Sequence, residues 1–176
     1  MKIIQTKIKD LFVIQPEVFS DDRGYFFESF NEQKLAKKFP WINFCQDNES
    51  KSSYGVLRGL HYQLSPKAQT KLVRVIKGKV LDVAVDIRKG SPTFGDYFSV
   101  ELSDKNKKQL LIPRGFAHGF VVLTEYADFI YKCSDFYDPD DEKCIIWNDP
   151  DLSISWPIKD PIISKKDSEG SLFCDL

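Results

Sequence analysis

The alternation of side chains between Val80 and Arg88 constrains this chain more than any other stretch. Leu81, Val83, Val85 and Ile87 take turns with Asp82, Ala84, Asp86 and Arg88, and Phe98, Val100 and Leu102 take turns with Tyr97, Ser99 and Glu101. A period of two sends successive side chains to opposite faces of a strand and fits no helix. Gly78 separates Lys71–Lys77 from the first of these runs, which reads as a hairpin. Further strands are predicted at Leu11–Ile14, Tyr25–Phe30, Gln109–Ile112, Phe116–Thr124 and Ala127–Phe136. Strands of this length between Gly, Pro and Asp turns predict a mainly β chain, an antiparallel sandwich or small barrel. One short peripheral helix is predicted over Asn31–Phe39, capped by Asn31, striped with Leu35, Ala36 and Phe39, and stopped by Pro40.

At 176 residues, with no repeat, linker or low-complexity segment, residues 1–176 are expected to form a single domain with a sizeable core. Lys and Arg total 25 against 26 Asp and Glu, so the basic excess that a nucleic-acid surface needs is missing. A local basic pocket for a phosphorylated small molecule remains compatible with that balance. The opening residues have no apolar core of a signal peptide, and no apolar run approaches the roughly 20 residues of a membrane span. Cysteines at 45, 133, 144 and 174 match no zinc spacing and no CxxC motif, so reduced thiols in the cytoplasm are expected.

The chain has two histidines, and both lie in Gly-flanked strands studded with polar groups: His61 in VLRGLHYQ (56–63) and His118 in IPRGFAHGF (112–120). An isolated histidine in a β core is ordinarily a satisfied core residue, but two of two in such surroundings point to a site. Imidazole titrates near neutrality and suits the removal of a carbon-bound proton. In a regular strand His61 shares a face with Leu57, Gly59 and Gln63, while Arg58 points away. Arg58 and His61 therefore serve one ligand only if Gly59 makes a bulge.

A two-histidine, one-carboxylate metal site needs HxH or HxD/E spacing, which neither histidine has, so no metal is expected. There is no GxSxG, GxGxxG or P-loop motif either. Proton transfer without a cofactor is what remains. It needs a base, an acid on the opposite face of the carbon, and a cation for the developing enolate. His61, Tyr131 and Lys71 are residue types that can fill these roles, although by default Tyr131 is a half-buried strand tyrosine and Lys71 a solvated strand-end charge.

Seven segments in order resemble the dTDP-4-dehydrorhamnose 3,5-epimerase family. They are VFSDDRGYFFESFN (18–31), FCQDNESKS (44–52), VLRGLHYQ (56–63), KLVRVIKGKVLDVAVDIRKGSPTFG (71–95), IPRGFAHGF (112–120), EYADFIYKCSDFYDPDDE (125–142) and IIWNDPDLSISWP (145–157). The resemblance implies a cupin-type jelly roll and a cofactor-free isomerase acting on a dTDP-sugar, working as a homodimer with no nucleic acid or membrane partner. It implies that His61 is the base, Asp167 the carboxylate orienting it, Tyr131 the acid and Lys71 the cation beside the C4 oxygen. Arg23, Arg58 and Lys166 are implied near the diphosphate, where Arg suits bidentate contacts. Glu28, Gln46, Asp47, Asn48, His118 and Glu142 match further substrate-contacting positions, and Tyr137 a thymine-stacking one. Residues near the first strands are implied to reach the partner's site. Thr70 stands where Gly is frequent and Tyr62 where Phe is frequent, while Arg114 and Lys143 fall at positions that differ among members. A single-carbon epimerase, a non-catalytic sugar-nucleotide binding module and a metal-dependent cupin oxygenase are the competing readings.

Overall fold

The computed structural model describes residues 1–176 and is built almost wholly from antiparallel strands. One sheet runs, edge to edge, β1 (Lys2–Gln5), β2 (Phe12–Gln15), β10 (Gln109–Ile112), β7 (Lys71–Lys77), β12 (Tyr126–Cys133) and β5 (Gln46–Ser53). The other runs β13 (Glu142–Cys144), β6 (Leu57–Gln63), β11 (Phe116–Val122), β8 (Lys79–Asp86) and β9 (Tyr97–Ser103). A separate hairpin of β3 (Phe19–Asp21) and β4 (Gly24–Phe26) stands outside both sheets. The expected jelly-roll sandwich is therefore the fold. No helix is long and apolar enough to cross a membrane.

The space between the sheets is filled by Val73, Val75, Val80, Ala84, Leu102, Leu110, Ile112, Phe120, Val122 and Phe129, all buried. At about 25 cal/mol per Å² of apolar surface removed from water, this layer is the main favourable term of the fold. The outer face of the six-stranded sheet is covered where α1 (Glu32–Ala36) lays Leu35, with Phe39 just beyond its end, on Phe12, Ile14, Leu72 and Leu111. Asn31 caps that helix by accepting from the Lys34 N–H at 3.0 Å. It ends sooner than the apolar stripe suggests, because Pro40 pushes the preceding residue away from helical geometry. The outer face of the second sheet packs Leu60, Tyr62, Val83, Val85 and Ala117 against Ile145 and Leu152 of the C-terminal segment.

Three strand expectations need correction. Gly78 is not a hairpin: β7 pairs with β10 and β12, whereas β8 pairs with β11 and β9. The chain crosses there from one sheet to the other, with φ +83° and a Cβ position that would lie 2.2 Å from the Tyr126 carbonyl oxygen. Tyr25–Phe30 contributes only Gly24–Phe26 as strand, since the following residues leave the hairpin for α1. Leu57 does not share a face with His61, for the reason given below. The alternation in β8 also hides its direction, because Asp82 and Asp86 point inward and are fully buried.

Gly78→Ala should cost about 2 kcal/mol or more in chemical denaturation, combining backbone strain with the clash. Gly90 has the same φ of +83° but open space around its Cβ position, so Gly90→Ala should cost clearly less. Equal losses would show that crowding at the crossover contributes nothing.

Candidate active site

Pairing between β6 and β11 sets the site's geometry. His118 lies opposite His61 and Phe120 opposite Arg58, so Gly59 and Leu60 together face the single residue Gly119. This is a bulge, and the extra residue turns Arg58 onto the face of His61 and Leu57 onto the other. Both glycines are required by the close approach: a Cβ on Gly59 would lie 2.5 Å from Gly119 Cα, and one on Gly119 2.6 Å from the Arg58 oxygen. The Gly59–Leu60 peptide is cis.

His61 Nε2 lies 2.5 Å from Asp167 Oδ1. Asp167 belongs to α2 (Lys165–Ser168), is 3% exposed, and receives the Ser164 hydroxyl on its other oxygen at 2.9 Å. Burial pushes the Asp167 carboxyl up, but the bonds from His61, Ser164 and the Gly59 backbone outweigh it and leave the pKa below the ordinary value. An ionised Asp167 accepts the Nε2–H and assigns the proton to that nitrogen, so Nδ1 carries the free lone pair.

The facing wall comes from the other sheet. Tyr131 on β12 and Lys71 on β7 line one open cleft with His61, Gln46, Asn48, Gln63, Gln69, Tyr137 and Glu142, about 610 Å³ including its mouth. Lys71 Nζ sits 6.0 Å from the Tyr131 ring centre. Burial, reinforced by Cys133 and Glu142 and opposed by Arg58, pushes the Tyr131 phenol up to about 12. Burial also lowers the Lys71 ammonium, against the pull of Cys133, Glu142 and Asp82. Tyr131 is thus held as a neutral phenol, while burial works against the charge on Lys71.

Around this pair the polar groups are fully engaged. Arg58 Nε donates to Ser52 Oγ at 3.0 Å. Gln46 Oε1 accepts the Tyr137 N–H at 2.9 Å, and the Tyr137 hydroxyl donates to Glu142 at 2.7 Å. Lys166 pairs with the same Glu142 oxygen. Glu142 feels burial upward and the bonds from Lys166 and Tyr137 downward, and ends below its ordinary value.

His118 does not line the cleft. It is buried beside His61 with Nε2 at 3.0 and 3.1 Å from the two oxygens of fully buried Asp82. Three other predicted substrate-contacting residues also lie elsewhere on the chain. Arg23, at the tip of the exposed β3–β4 hairpin, pairs with Asp21 at 2.5 Å. Glu28 pairs with Lys34 and accepts from Asn31. Asp47 points to the opposite face of β5 from Gln46 and Asn48, and holds Lys132 at 2.9 Å.

Sequence reasoning missed several participants. Gln63 donates to the Lys67 and Phe136 carbonyls and accepts the Asp138 N–H, tying the Tyr137 loop to β6. Its place two residues after His61 was the available signal. Gln69, Asp82 and Ser164 carried none beyond polarity. Cys144 is no part of the cleft lining: opposite His61 on β13, it lies 3.9 Å from Asp167 Oδ1 with its thiol pushed up to about 12 by burial and the nearby carboxylate.

The family model described as dTDP-4-dehydrorhamnose 3,5-epimerase matches residues 5–175. The chain belongs to this family. It is 54% identical over 177 residues to the dTDP-4-dehydrorhamnose 3,5-epimerase of Pseudomonas aeruginosa, covering 99% of this chain and 97% of that one. The epimerase structure from Elizabethkingia anophelis superposes with a TM-score of 0.95 at 52% identity, covering 99% and 97% of the two chains. The Legionella pneumophila dTDP-6-deoxy-D-glucose-3,5-epimerase, in complex with dTDP-4-keto-L-rhamnose, superposes with a TM-score of 0.95 at 50% identity, covering 98% and 93%.

Two measurements check the electrostatics. An ultraviolet difference titration of the protein against Tyr131→Phe should place the missing phenol's ionisation near pH 12, and a step near 10 would contradict its burial. A depressed carboxyl stabilises fully above its unfolded value of about 3.8 and loses that contribution as pH falls through the lower folded value. Asp167→Asn should therefore be less stable near neutrality and show a shallower acid limb in a pH series of urea melts.

Proposed function

We propose that this chain is an isomerase that epimerises C3 and C5 of dTDP-4-dehydro-6-deoxy-D-glucose to give dTDP-4-dehydro-L-rhamnose. The observation that carries this is a histidine on one sheet, paired with an aspartate from α2, facing a phenol and a half-buried lysine on the other sheet across one cleft. Membership of the family supports the choice of substrate.

Both carbons flank the C4 ketone, so the hydrogen on each is acidified by the same carbonyl. His61 Nδ1 takes that hydrogen as a proton, and the electron pair moves through the C–C bond onto the C4 oxygen. Lys71 lies where it can meet the developing negative charge, and partial desolvation strengthens that attraction. Collapse of the enolate takes the Tyr131 hydroxyl proton from the opposite face, which inverts the carbon. Exchange with solvent returns His61 to its neutral form and the phenolate to phenol. Only protons move, so the reaction as proposed uses no cofactor.

Asp167 holds the His61 ring through Nε2 and leaves Nδ1 to the substrate, with a negative charge beside the imidazolium that forms. Arg58 and Lys166 would take the diphosphate. The exposed Tyr137 ring would stack the thymine, beside Gln46, Asn48 and Glu142, with His118 supporting His61 from behind. Arg23 and Glu28 enter this reading from a second copy of the chain. We accordingly propose a homodimer in which the β3–β4 hairpin, with Phe19, Tyr25 and Phe26 exposed, crosses to the neighbour's cleft. Asp47, directed away from its own cleft, belongs on that side as well. Four free thiols suit the reducing cytoplasm as the place of work.

Proton NMR of dTDP-4-dehydro-6-deoxyglucose incubated with the protein in heavy water tests the reading directly. Deuterium should enter at both C3 and C5 and both centres should invert; one inverted centre would indicate a single-carbon epimerase, and no exchange would refute the chemistry. His61→Ala should slow exchange at least about 100-fold, the ordinary cost of losing a general base. Tyr131→Phe should keep exchange at C5 while losing most of the inverted product.

A further inference from the structure

We propose that His61, Cys144 and Asp167 form a binding site for a soft divalent cation such as Zn²⁺, and that the ion switches the enzyme off by occupying its base. The three side chains come from β6, β13 and α2, and their donor atoms all lie within 4.8 Å of one another. They supply one nitrogen, one sulfur and one oxygen, a donor set that suits zinc and discriminates against magnesium and calcium. Cys144 is neither in the proposed proton path nor in the cleft lining, so its presence is not explained by the reaction.

The geometry needs small adjustments. Zinc bond lengths of about 2.0–2.3 Å place tetrahedral donors roughly 3.4 Å apart. His61 Nε2 and Asp167 Oδ1, now at 2.5 Å, have to part by about 1 Å, while Cys144 Sγ, at 3.9 Å from that oxygen, has to approach by about half as much. A water completes the proposed tetrahedron as fourth ligand. On binding, the Cys144 thiol releases its proton to solvent as the sulfur–metal bond forms. The His61 proton moves from Nε2 to Nδ1, so that the Nε2 lone pair can coordinate. That transfer removes the lone pair that faces the substrate, and catalysis stops without any damage to the fold.

The inhibitory half of this inference rests on the epimerase reading, while the binding half stands without it. Cd²⁺, titrated into the purified full-length protein, should produce the ultraviolet thiolate-to-cadmium charge-transfer band with a one-to-one component that is lost in Cys144→Ser. Exposed Cys45 and Cys174 are present in both proteins and cancel in the comparison. In the epimerase assay Zn²⁺ should inhibit at micromolar concentration and a chelator should restore the rate, while Mg²⁺ should have no effect. Cys144→Ser should keep the basal rate and need at least tenfold more Zn²⁺ for the same inhibition. An unchanged cadmium spectrum in Cys144→Ser would overturn the site whatever the protein's activity. A normal cadmium band with equal zinc inhibition of both proteins would overturn the switch. A normal band in a protein that turns over no dTDP-sugar would count against the epimerase reading and leave the site standing.

Discussion

Backbone contact between Gly59 and Gly119 is the constraint on which the site depends. Two strands of one sheet approach more closely there than any Cβ would permit, and one of them carries an additional residue through the gap. Without that residue Arg58 would face away from His61, and a guanidinium and an imidazole three residues apart in the motif could not address one ligand. The apolar layer between the sheets holds the approach in place, since Phe120 and Phe129 stack 4.2 Å apart immediately beyond it. Packing of ordinary hydrophobic residues thus fixes the direction of a polar side chain on a neighbouring strand.

His61 and Tyr131 sit on different sheets, and this division accounts for their different electrostatic surroundings. The histidine is coupled to an ionised carboxylate delivered by a short helix outside the sandwich. The phenol is instead surrounded by core residues and other acids, which keep its proton in place. The surroundings of each ring follow from the layer it belongs to. The buried Asp82–His118 pair follows the same logic, since two polar groups inside the sandwich are tolerable when each satisfies the other.

Much of the architecture was legible in the residues, and the failures have physical causes. Alternation located β8 and β9 almost to the residue, because a period of two is a local property. It could not reveal that Gly78 joins two sheets, since a hairpin and a crossover ask the same positive φ of one glycine. Nor could it reveal that the acidic face of β8 looks inward, because the tail that covers the apolar face lies more than sixty residues along the chain. The bulge at Gly59 was recognisable as a condition the site imposed, not as a periodicity. Asp167 was reachable only through resemblance, because a carboxylate 106 residues from its partner leaves no local trace. Arg23 and Glu28 were equally visible as family positions, yet one folded chain does not bring them to the cleft. Cys144 was passed over because its significance lies wholly in what β13 sets beside it.

The turn that carries Tyr137 is fastened to both layers of the sandwich at once. Gln46, from the six-stranded sheet, holds the Tyr137 amide, while Gln63, from the five-stranded sheet, holds Phe136 and Asp138 on either side of it. Three consecutive residues therefore act as a clasp across the mouth of the sandwich. The walls that carry His61 and Tyr131 are tied together there by two amide side chains that hydrogen-bond to neither ring. Loosening the clasp would let the two walls breathe apart and part the imidazole from the phenol, even with every side chain on them still in place.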